Sequence, residues 1–299
     1  MKKKLIFIFC NLIFSYSNCQ NQIINEYLYL EKVNFYNSKN DNKKAIEFIN
    51  KIKTPHIIAA NNYMNFANIH IKNKDTISAQ EFVFKSICKG GEYSWLNDYP
   101  QLKPLFTIAD SMYFLNTYKQ NKNKIDVDLY SSIQSMYDLD QFVRRRWVIT
   151  RDTTYLNDMC FIDSNNSIKV YSIIDEKGFS FCDFAPLERL FIPLFLHISD
   201  KTLDSLEFES YRLKIFEEVL KGNLAPSTYA VWVDRHYVFS LKMPQLYGTF
   251  WEQTDKGKEL KNVQFPDKID ELRTSIGLLS IGEYLEIKTE NIFPSWYKN

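Results

Sequence analysis

Apolar positions recur at helical spacing along most of the chain, and this pattern predicts a mainly α-helical protein. The stretch 127–148 carries one apolar stripe, made of Leu129, Ile133, Met136, Tyr137, Val143 and Trp147. Further helices are predicted at 156–176, 186–197 and 205–221. The next helix, capped by Ser227, is apolar on almost every side, and we therefore expect it to lie in the centre of its domain.

Aromatic and polar residues in the C-terminal third predict a short β-hairpin. In this interpretation the extended stretch 244–251 pairs with 263–265, and the turn is Asp255-Lys256-Gly257. A last helical part follows Pro266. The patterns together predict a mainly α fold, with N-terminal helix pairs followed by a helical domain that contains a short β-hairpin.

An internal repeat occupies the first third of the chain. An offset of 34 residues aligns Asp41 with Asp75 and Ala45 with Ala79. The same offset gives five more identities: Tyr29 and Tyr63, Asn34 and Asn68, Glu47 and Glu81, Phe48 and Phe82, and Lys51 and Lys85. Each Asp can cap the second helix of its pair, and each Ala is small enough for close helix packing.

This spacing resembles that of tetratricopeptide repeats, over about residues 22–90. The usual Trp and Gly of the first helix are missing. The segment from Tyr93 to Phe106 looks like the helix that closes such arrays. A polar stretch between Tyr118 and Asp126 lacks apolar periodicity, so we divide the mature chain into 22–118 and 125–290.

Residues 1–18 have the pattern of a secretory signal peptide. Three lysines precede an apolar run from Leu5 to Phe14, which is too short to cross a bilayer as a helix. Cleavage near Asn18 is favoured over lipidation of Cys19, because Asn is a poor substitute for Gly or Ala before a lipidated cysteine. We therefore expect an exported, periplasmic or extracellular protein without a transmembrane helix, or alternatively a lipoprotein anchored through Cys19.

Charge and composition argue against several functions. The chain has 37 Lys and Arg residues and 36 Asp and Glu residues, which leaves no basic surface excess for nucleic acid. The run Arg144-Arg145-Arg146 is typical of a solvated helix face. The four histidines lack the spacing of a metal site, and no cofactor motif is present, so we expect neither metal nor cofactor.

The mature chain keeps Cys88, Cys160 and Cys182, together with Cys19 if cleavage spares it. The first three permit at most one internal disulfide, for which Cys160 and Cys182 are the candidates. The alternative is that all three are buried thiols that pack as small apolar side chains.

Ionisable residues on helices that the pattern places inside the second domain are the main functional signal. Burying Asp140, His197, Asp234 or Arg235 is unfavourable unless each charged group is paired and hydrogen-bonded. We therefore expect these side chains to share a site. The pairing alone is compatible either with catalysis or with a satisfied internal network that only stabilises the fold.

The order of these residues resembles an uncharacterised bacterial family, the domain of unknown function 6624, over about residues 125–287. The matching residues are Asp140-Gln141, Arg144, Asn166, His197, Asp234-Arg235, Gln245, Tyr247-Gly248-Thr249, Arg273 and Gly277-Leu278. The sequence departs from the family pattern at Leu196 and Phe250, where Gln is usual. Membership implies a fold and no known activity.

Two functions follow as hypotheses. The first is a protein-interaction or structural module of the cell envelope, in which the helix pairs present a groove to a protein or peptide. The alternative is a hydrolase-type enzyme with His197 as general base, oriented by Asp140 or Asp234, and with Arg144 or Arg235 stabilising an oxyanion. The candidate substrate contacts are Arg144, Asn166, Gln245, Tyr247, Thr249 and Arg273.

Overall fold

The computed structural model describes residues 18–198, 205–254, 257–287 and 291–292 of the chain. The predicted signal peptide lies outside these ranges except for Asn18. The helices are α1 (Asn18–Ser38), α2 (Asn42–Ile49), α3 (Ala60–Lys72), α4 (Thr76–Cys88), α5 (Ile108–Lys122), α6 (Val127–Thr150), α7 (Thr154–Lys177), α8 (Ala185–His197), α9 (Ser205–Leu220), α10 (Pro226–Arg235), α11 (Ile269–Thr274) and α12 (Ile281–Ile287). The strands are β1 (Trp251–Thr254), β2 (Gly257–Leu260) and β3 (Asn291–Ile292). The mainly α prediction is confirmed, and among the described helices none is both long and apolar enough to cross a membrane.

The first four helices form two pairs that repeat along the chain. Helices α2 and α4 begin at positions 42 and 76, which are 34 residues apart. Asp41 and Asp75 each accept a hydrogen bond of 3.1 Å from the amide three residues on, which confirms both predicted caps. Ala45 and Ala79 are completely buried, as close helix packing requires.

The segment from Tyr93 to Phe106, predicted as a closing helix, instead forms two 3₁₀ turns. Prolines at positions 100 and 104 lack the amide hydrogen that a continuous helix needs. Helix α5 packs against α4 in its place, and a capping box of Thr107 and Asp110 begins it. The sequence prediction divides the chain at the polar stretch between Tyr118 and Asp126. Because α5 continues to Lys122, the first half of that stretch is helical.

A single hydrophobic core joins the helix pairs to the C-terminal half. It includes Tyr27 and Phe66 from the pairs, and Phe195 and Trp232 from the later helices. Gly277 allows a close approach of the two parts, because it has a φ of +88° and a Cβ there would lie 2.8 Å from the carbonyl oxygen of Ile24. The two parts that the sequence separates therefore bury much of their apolar surface against each other.

Helices α6 to α10 lie within a few residues of their predicted positions. Trp232 and Val233 on α10 are completely buried, which confirms that this helix is central. The predicted cap at Ser227 is wrong. Pro226 occupies the first helical position and Ala225 precedes it, because proline needs no amide partner there.

The predicted hairpin exists, but its strands are wrong. Strand β1 pairs antiparallel with β2, and β3 pairs parallel with β2. Gln245 and Val263, which the prediction placed on paired strands, form only an isolated parallel bridge. Residues 244–250 do not pair as a strand because several of their amides donate to the carboxylate of Asp234.

No disulfide joins Cys88, Cys160 and Cys182, so the predicted bridge between the last two is wrong. Cys160 lies in α7, 17 residues before its end at Lys177, and Cys182 follows that end. This length of helix places Cys160 about 25 Å from Lys177, and the five residues from Lys177 to Cys182 span at most about 17 Å, so the two cysteines stay beyond disulfide reach. The alternative of buried thiols holds for Cys182 alone, since Cys88 is exposed and Cys160 half-buried.

Candidate functional site

Four ionisable side chains from three helices meet in one hydrogen-bonded group, which we call the His197 cluster. It consists of Asp140 and Arg144 on α6, Asp163 on α7 and His197 at the end of α8. The helical period brings Asp140 and Arg144 to one face of α6, since they are four residues apart. The cluster therefore depends on three helices that pack together through the hydrophobic core.

Asp140 holds the imidazole of His197. The Nδ1 atom of His197 lies 3.1 Å from both carboxylate oxygens of Asp140. An ionised carboxylate only accepts hydrogen bonds, so Nδ1 must carry the proton, and Nε2 keeps its lone pair when the ring is neutral. Nε2 makes no hydrogen bond to any other described residue, and the side chain of His197 is 20% exposed. This arrangement is that of a general base oriented by a carboxylate.

Arg144 links the two carboxylates of the cluster. Its Nε donates to Asp140 at 2.9 Å and one Nη donates to Asp163 at 2.5 Å. The other Nη contacts the sulfur of Met159 at 3.7 Å. A guanidinium has five N–H groups, so N–H donors remain beyond these three contacts. The side chain is 24% exposed, which leaves part of this positive charge accessible beside His197.

Asp140 is itself out of contact with water, since its side chain is only 1% exposed. Gln141 donates to its second oxygen at 2.8 Å. Burial alone would raise the pKa of Asp140, but the hydrogen bond from His197 and the charge of Arg144 outweigh it and lower the pKa. Asp140 therefore stays ionised near neutral pH.

Asp163 is perturbed in the opposite direction. Burial raises the pKa of Asp163, and the negative charge of Asp140 raises it further, while Arg144 acts against both. Active sites often contain two neighbouring carboxylates of which one has a lowered and the other a raised pKa. The first then remains ionised and the second can exchange a proton. Structural ion-pair networks also produce such shifts, so the shifts support a site only together with the geometry.

The cluster also offers ligand atoms to a metal ion, because one donor atom each from Asp140, Asp163 and His197 lie within 4.8 Å of one another. Arg144, however, already places a positive charge between the two carboxylates. A metal ion would have to displace this guanidinium and would be repelled by it. The donor set therefore fits a metal poorly, in agreement with the absence of metal spacing in the sequence.

Asn166 is the buried polar residue nearest to the cluster along α7. It lies three residues after Asp163, on the same face of the helix. Its side chain is buried, and its Nδ2 has no hydrogen-bond acceptor within the described residues. A buried amide donor of this kind is unfavourable unless some group accepts from it, and the role of Asn166 in substrate contact stays a prediction.

The other predicted site residues form a second group, the Asp234 loop, made of Asp234 and residues 245–250. The carboxylate of Asp234 accepts hydrogen bonds from the amides of Leu246, Tyr247 and Thr249 and from the Thr249 hydroxyl, at 2.6–3.0 Å. Gln245 is fully buried and binds the backbone of Phe250 and Lys261. These contacts join the loop to itself and to the backbone of Lys261.

Arg273 closes this second group from α11. It donates to the carbonyl oxygens of Tyr247 and Leu279 at 2.7 and 2.6 Å, and its side chain lies over the ring of Tyr284. Burial lowers the pKa of Arg273, and nearby acidic groups oppose this. Gln245, Tyr247, Thr249 and Arg273, which we predicted as substrate contacts, thus form the framework of a loop.

The structure does not bring Asp234 to His197, whose hydrogen bonds among the described residues all go to Asp140. Asp140 is therefore the orienting carboxylate, and Asp234 is not. Arg235 lies at the end of α10, with its guanidinium over the ring of Phe239. Of the two candidate oxyanion partners, Arg144 is the one that shares hydrogen bonds with the cluster.

Comparison with protein-family models, with curated proteins and with solved structures found no match to this chain. The resemblances to the domain of unknown function 6624 and to tetratricopeptide repeats therefore stay predictions. The chemistry of the His197 cluster is argued from its own geometry.

Asp163 is the one residue of the cluster that sequence reasoning missed. A signal was present, because Asp163 and Asn166 are three residues apart on a helix that was predicted. An acidic residue on the inward face of a helix needs a cation, and Arg144 was the candidate cation on the neighbouring helix. Only the packing of α6 against α7 shows that the two side chains meet.

Proposed function

We propose that the protein is a hydrolase-type enzyme in which His197 acts as general base. The observation that carries this proposal is the pairing of His197 with a buried carboxylate, while its side chain is 20% exposed and its Nε2 makes no hydrogen bond to any described residue. Asp140 fixes the tautomer, and Asp163 helps to hold Arg144 beside the base. The export of the protein, inferred from residues 1–18, remains part of the proposal.

The proposed reaction needs only water and a substrate with an electrophilic carbonyl or phosphoryl centre. Nε2 of His197 removes a proton from water as the water oxygen attacks that centre. Negative charge develops on the substrate oxygen, where the remaining N–H groups of Arg144 stabilise it. The leaving group departs with the proton from His197, so that the base is restored and one water is consumed.

The test is hydrolysis of p-nitrophenyl acetate and p-nitrophenyl phosphate by the full mature chain. His197→Ala should lower the rate on the accepted substrate by about 10²- to 10⁴-fold, the usual contribution of a general base. His197→Gln is the folding control, because its amide can still donate to Asp140. It should keep the melting temperature of the wild type and lose the activity.

His56→Ala is the matched control for the loss of a histidine. The ring of His56 is exposed and bonds only to the carbonyl oxygen of Lys221, with no carboxylate partner. We expect it to keep the wild-type rate. Equal rates in wild type and His197→Gln, or no turnover of either substrate, would reject the enzymatic proposal.

The second candidate is the interaction or structural module of the cell envelope. It is favoured by side chains of α6 and α7 that are more than half exposed: Leu139, Phe142, Val148, Ile149, Phe161 and Ile168. The helix pairs themselves pack into the shared core, which leaves little groove for a peptide. Under this candidate the histidine variants above show no catalytic difference.

A further inference from the structure

A cavity of about 490 Å³ lies where the helix pairs meet the C-terminal half. Its wall includes Tyr27 and Glu31 of α1, Asn61 and Asn62 of α3, and Asp183 and Glu188 beside and within α8. This volume is in the range of small-molecule sites. Neither the His197 cluster nor the Asp234 loop lines it, so the proposed hydrolase chemistry does not use it.

The wall of the cavity is acidic. Glu31, Asp183 and Glu188 contribute carboxylates, whereas no Lys or Arg belongs to the lining, which lies within the described residues. Lys89 forms an ion pair with Asp183 from outside the lining. Glu188 makes neither a hydrogen bond nor an ion pair through its side chain with any described residue. Burial raises the pKa of Glu188, and the negative charge of Asp183 adds to this.

Tyr27 provides a second, independent indication of a ligand. Its side chain lines the cavity and the residue is only 5% exposed, yet its hydroxyl has no hydrogen-bond partner in the described part of the chain. Burial raises the pKa of this phenol, and so do the charges of Glu188 and Asp183, which line the same cavity. This hydroxyl is therefore available to a ligand bound in the cavity. The cavity therefore contains a polar group and a carboxylate that both lack a counterpart.

We propose that this cavity binds a small organic cation, whose ammonium group Glu188 holds by charge and whose N–H also donates to the Tyr27 hydroxyl oxygen. The side-chain amides of Asn61 and Asn62 then bind the polar part of the same ligand. A bare metal ion fits less well, because it needs six or more oxygen atoms within about 2.6 Å and would fill only a small part of the space.

Isothermal titration of the full mature chain with putrescine tests this proposal, and 1,4-butanediol serves as its uncharged counterpart of equal length. Putrescine should bind and the diol should not. Glu188→Gln should weaken putrescine binding at least about tenfold, because a charge-assisted hydrogen bond is lost. Tyr27→Phe should weaken it less, by about threefold to tenfold.

Glu47→Gln is the matched control, since Glu47 is exposed on α2 and does not line the cavity. It should bind putrescine like the wild type, which separates the cavity from a general effect of net charge. Calcium chloride is titrated in parallel. Absence of putrescine binding, equal binding of the diol, unchanged binding to Glu188→Gln, or calcium binding in place of putrescine would each overturn the proposal.

Discussion

Asp140 and Asp234 are equally buried, yet they have different kinds of partners. Asp234 is bound by three backbone amides and one hydroxyl of a single loop. Asp140 is bound by the side chains of His197, Arg144 and Gln141, all three of which are partly exposed. Full burial of a carboxylate therefore does not distinguish a structural site from a reactive one.

The difference lies in what the partners can do. Backbone amides cannot gain or lose a proton, so the Asp234 loop only holds its shape. A histidine and an arginine can transfer a proton or stabilise charge on a ligand, so the His197 cluster has chemistry available. The pKa values of the two aspartates also differ in direction. Burial raises the pKa of Asp234 to about 6. Burial would also raise the pKa of Asp140, but His197 and Arg144 outweigh this and lower it.

The largest effect on stability is expected from Asp234→Ala. The substitution leaves three buried amides of the loop without an acceptor, and each such donor is unfavourable. We expect a loss of about 3–5 kcal/mol in the free energy of unfolding, measured by urea denaturation at pH 7. A loss below about 1 kcal/mol would contradict the structural role. Thr249→Val removes only the hydroxyl contact and should lose about 1 kcal/mol.

The pH dependence of stability should have opposite signs at the two aspartates. Asp234 has its pKa raised from 3.8 to about 6, so its protonation stabilises the fold below pH 3.8, and this contribution disappears as the pH rises through 6. The stability of the wild type relative to Asp234→Asn should therefore increase by up to about 3 kcal/mol between pH 7 and pH 4.

Asp140 should behave in the reverse manner. Its pKa is lowered, so its contribution is complete at neutral pH and decreases as the pH falls below the ordinary value of 3.8. The stability of the wild type relative to Asp140→Asn should thus decrease between pH 5 and pH 2.5. Urea denaturation across the pH range measures both variants. If the stability of the wild type relative to both variants changed in the same direction with pH, the distinction between the two sites would be wrong.

The smallest effect is expected from Asp163→Asn. The amide oxygen can still accept from Arg144, and both side chains are partly exposed, so the lost ion pair should reduce stability by no more than about 1 kcal/mol. Thermal unfolding measures this change. A loss comparable with that of Asp234→Ala would mean that the His197 cluster is also mainly structural.

The helices could be predicted because apolar spacing repeats along each segment. The stripe from Leu129 to Trp147 identified α6, and the matched pair Asp41 and Asp75 identified the starts of α2 and α4. The site was only partly predictable. Asp140 and His197 were predicted to have buried charges that need partners and Arg144 to be a candidate oxyanion partner, but Asp163 was missed and Asp234 was assigned to the same site.

The hairpin shows that local sequence pattern does not determine which residues pair as strands. An aromatic, extended stretch at 244–251 has the composition of a strand, and it still does not pair as one. Its amides bind the carboxylate of Asp234 instead, in a helix about ten residues earlier in the chain. Strand propensity depends on the residues of the segment itself, so it cannot predict a hydrogen-bond acceptor on another helix.

By itself the sequence determined the helical class, the 34-residue repeat and the burial of α10, because these depend on the spacing of apolar residues within a segment. The tertiary structure alone decided which buried charges become partners. Hydrogen bonds require donor and acceptor within about 3 Å, and only the packing of α6, α7 and α8 brings His197 that close to Asp140 and Asp163 that close to Arg144. The tertiary structure also places Tyr27 of α1 and Glu188 of α8 on the wall of one cavity, which no segment indicates on its own.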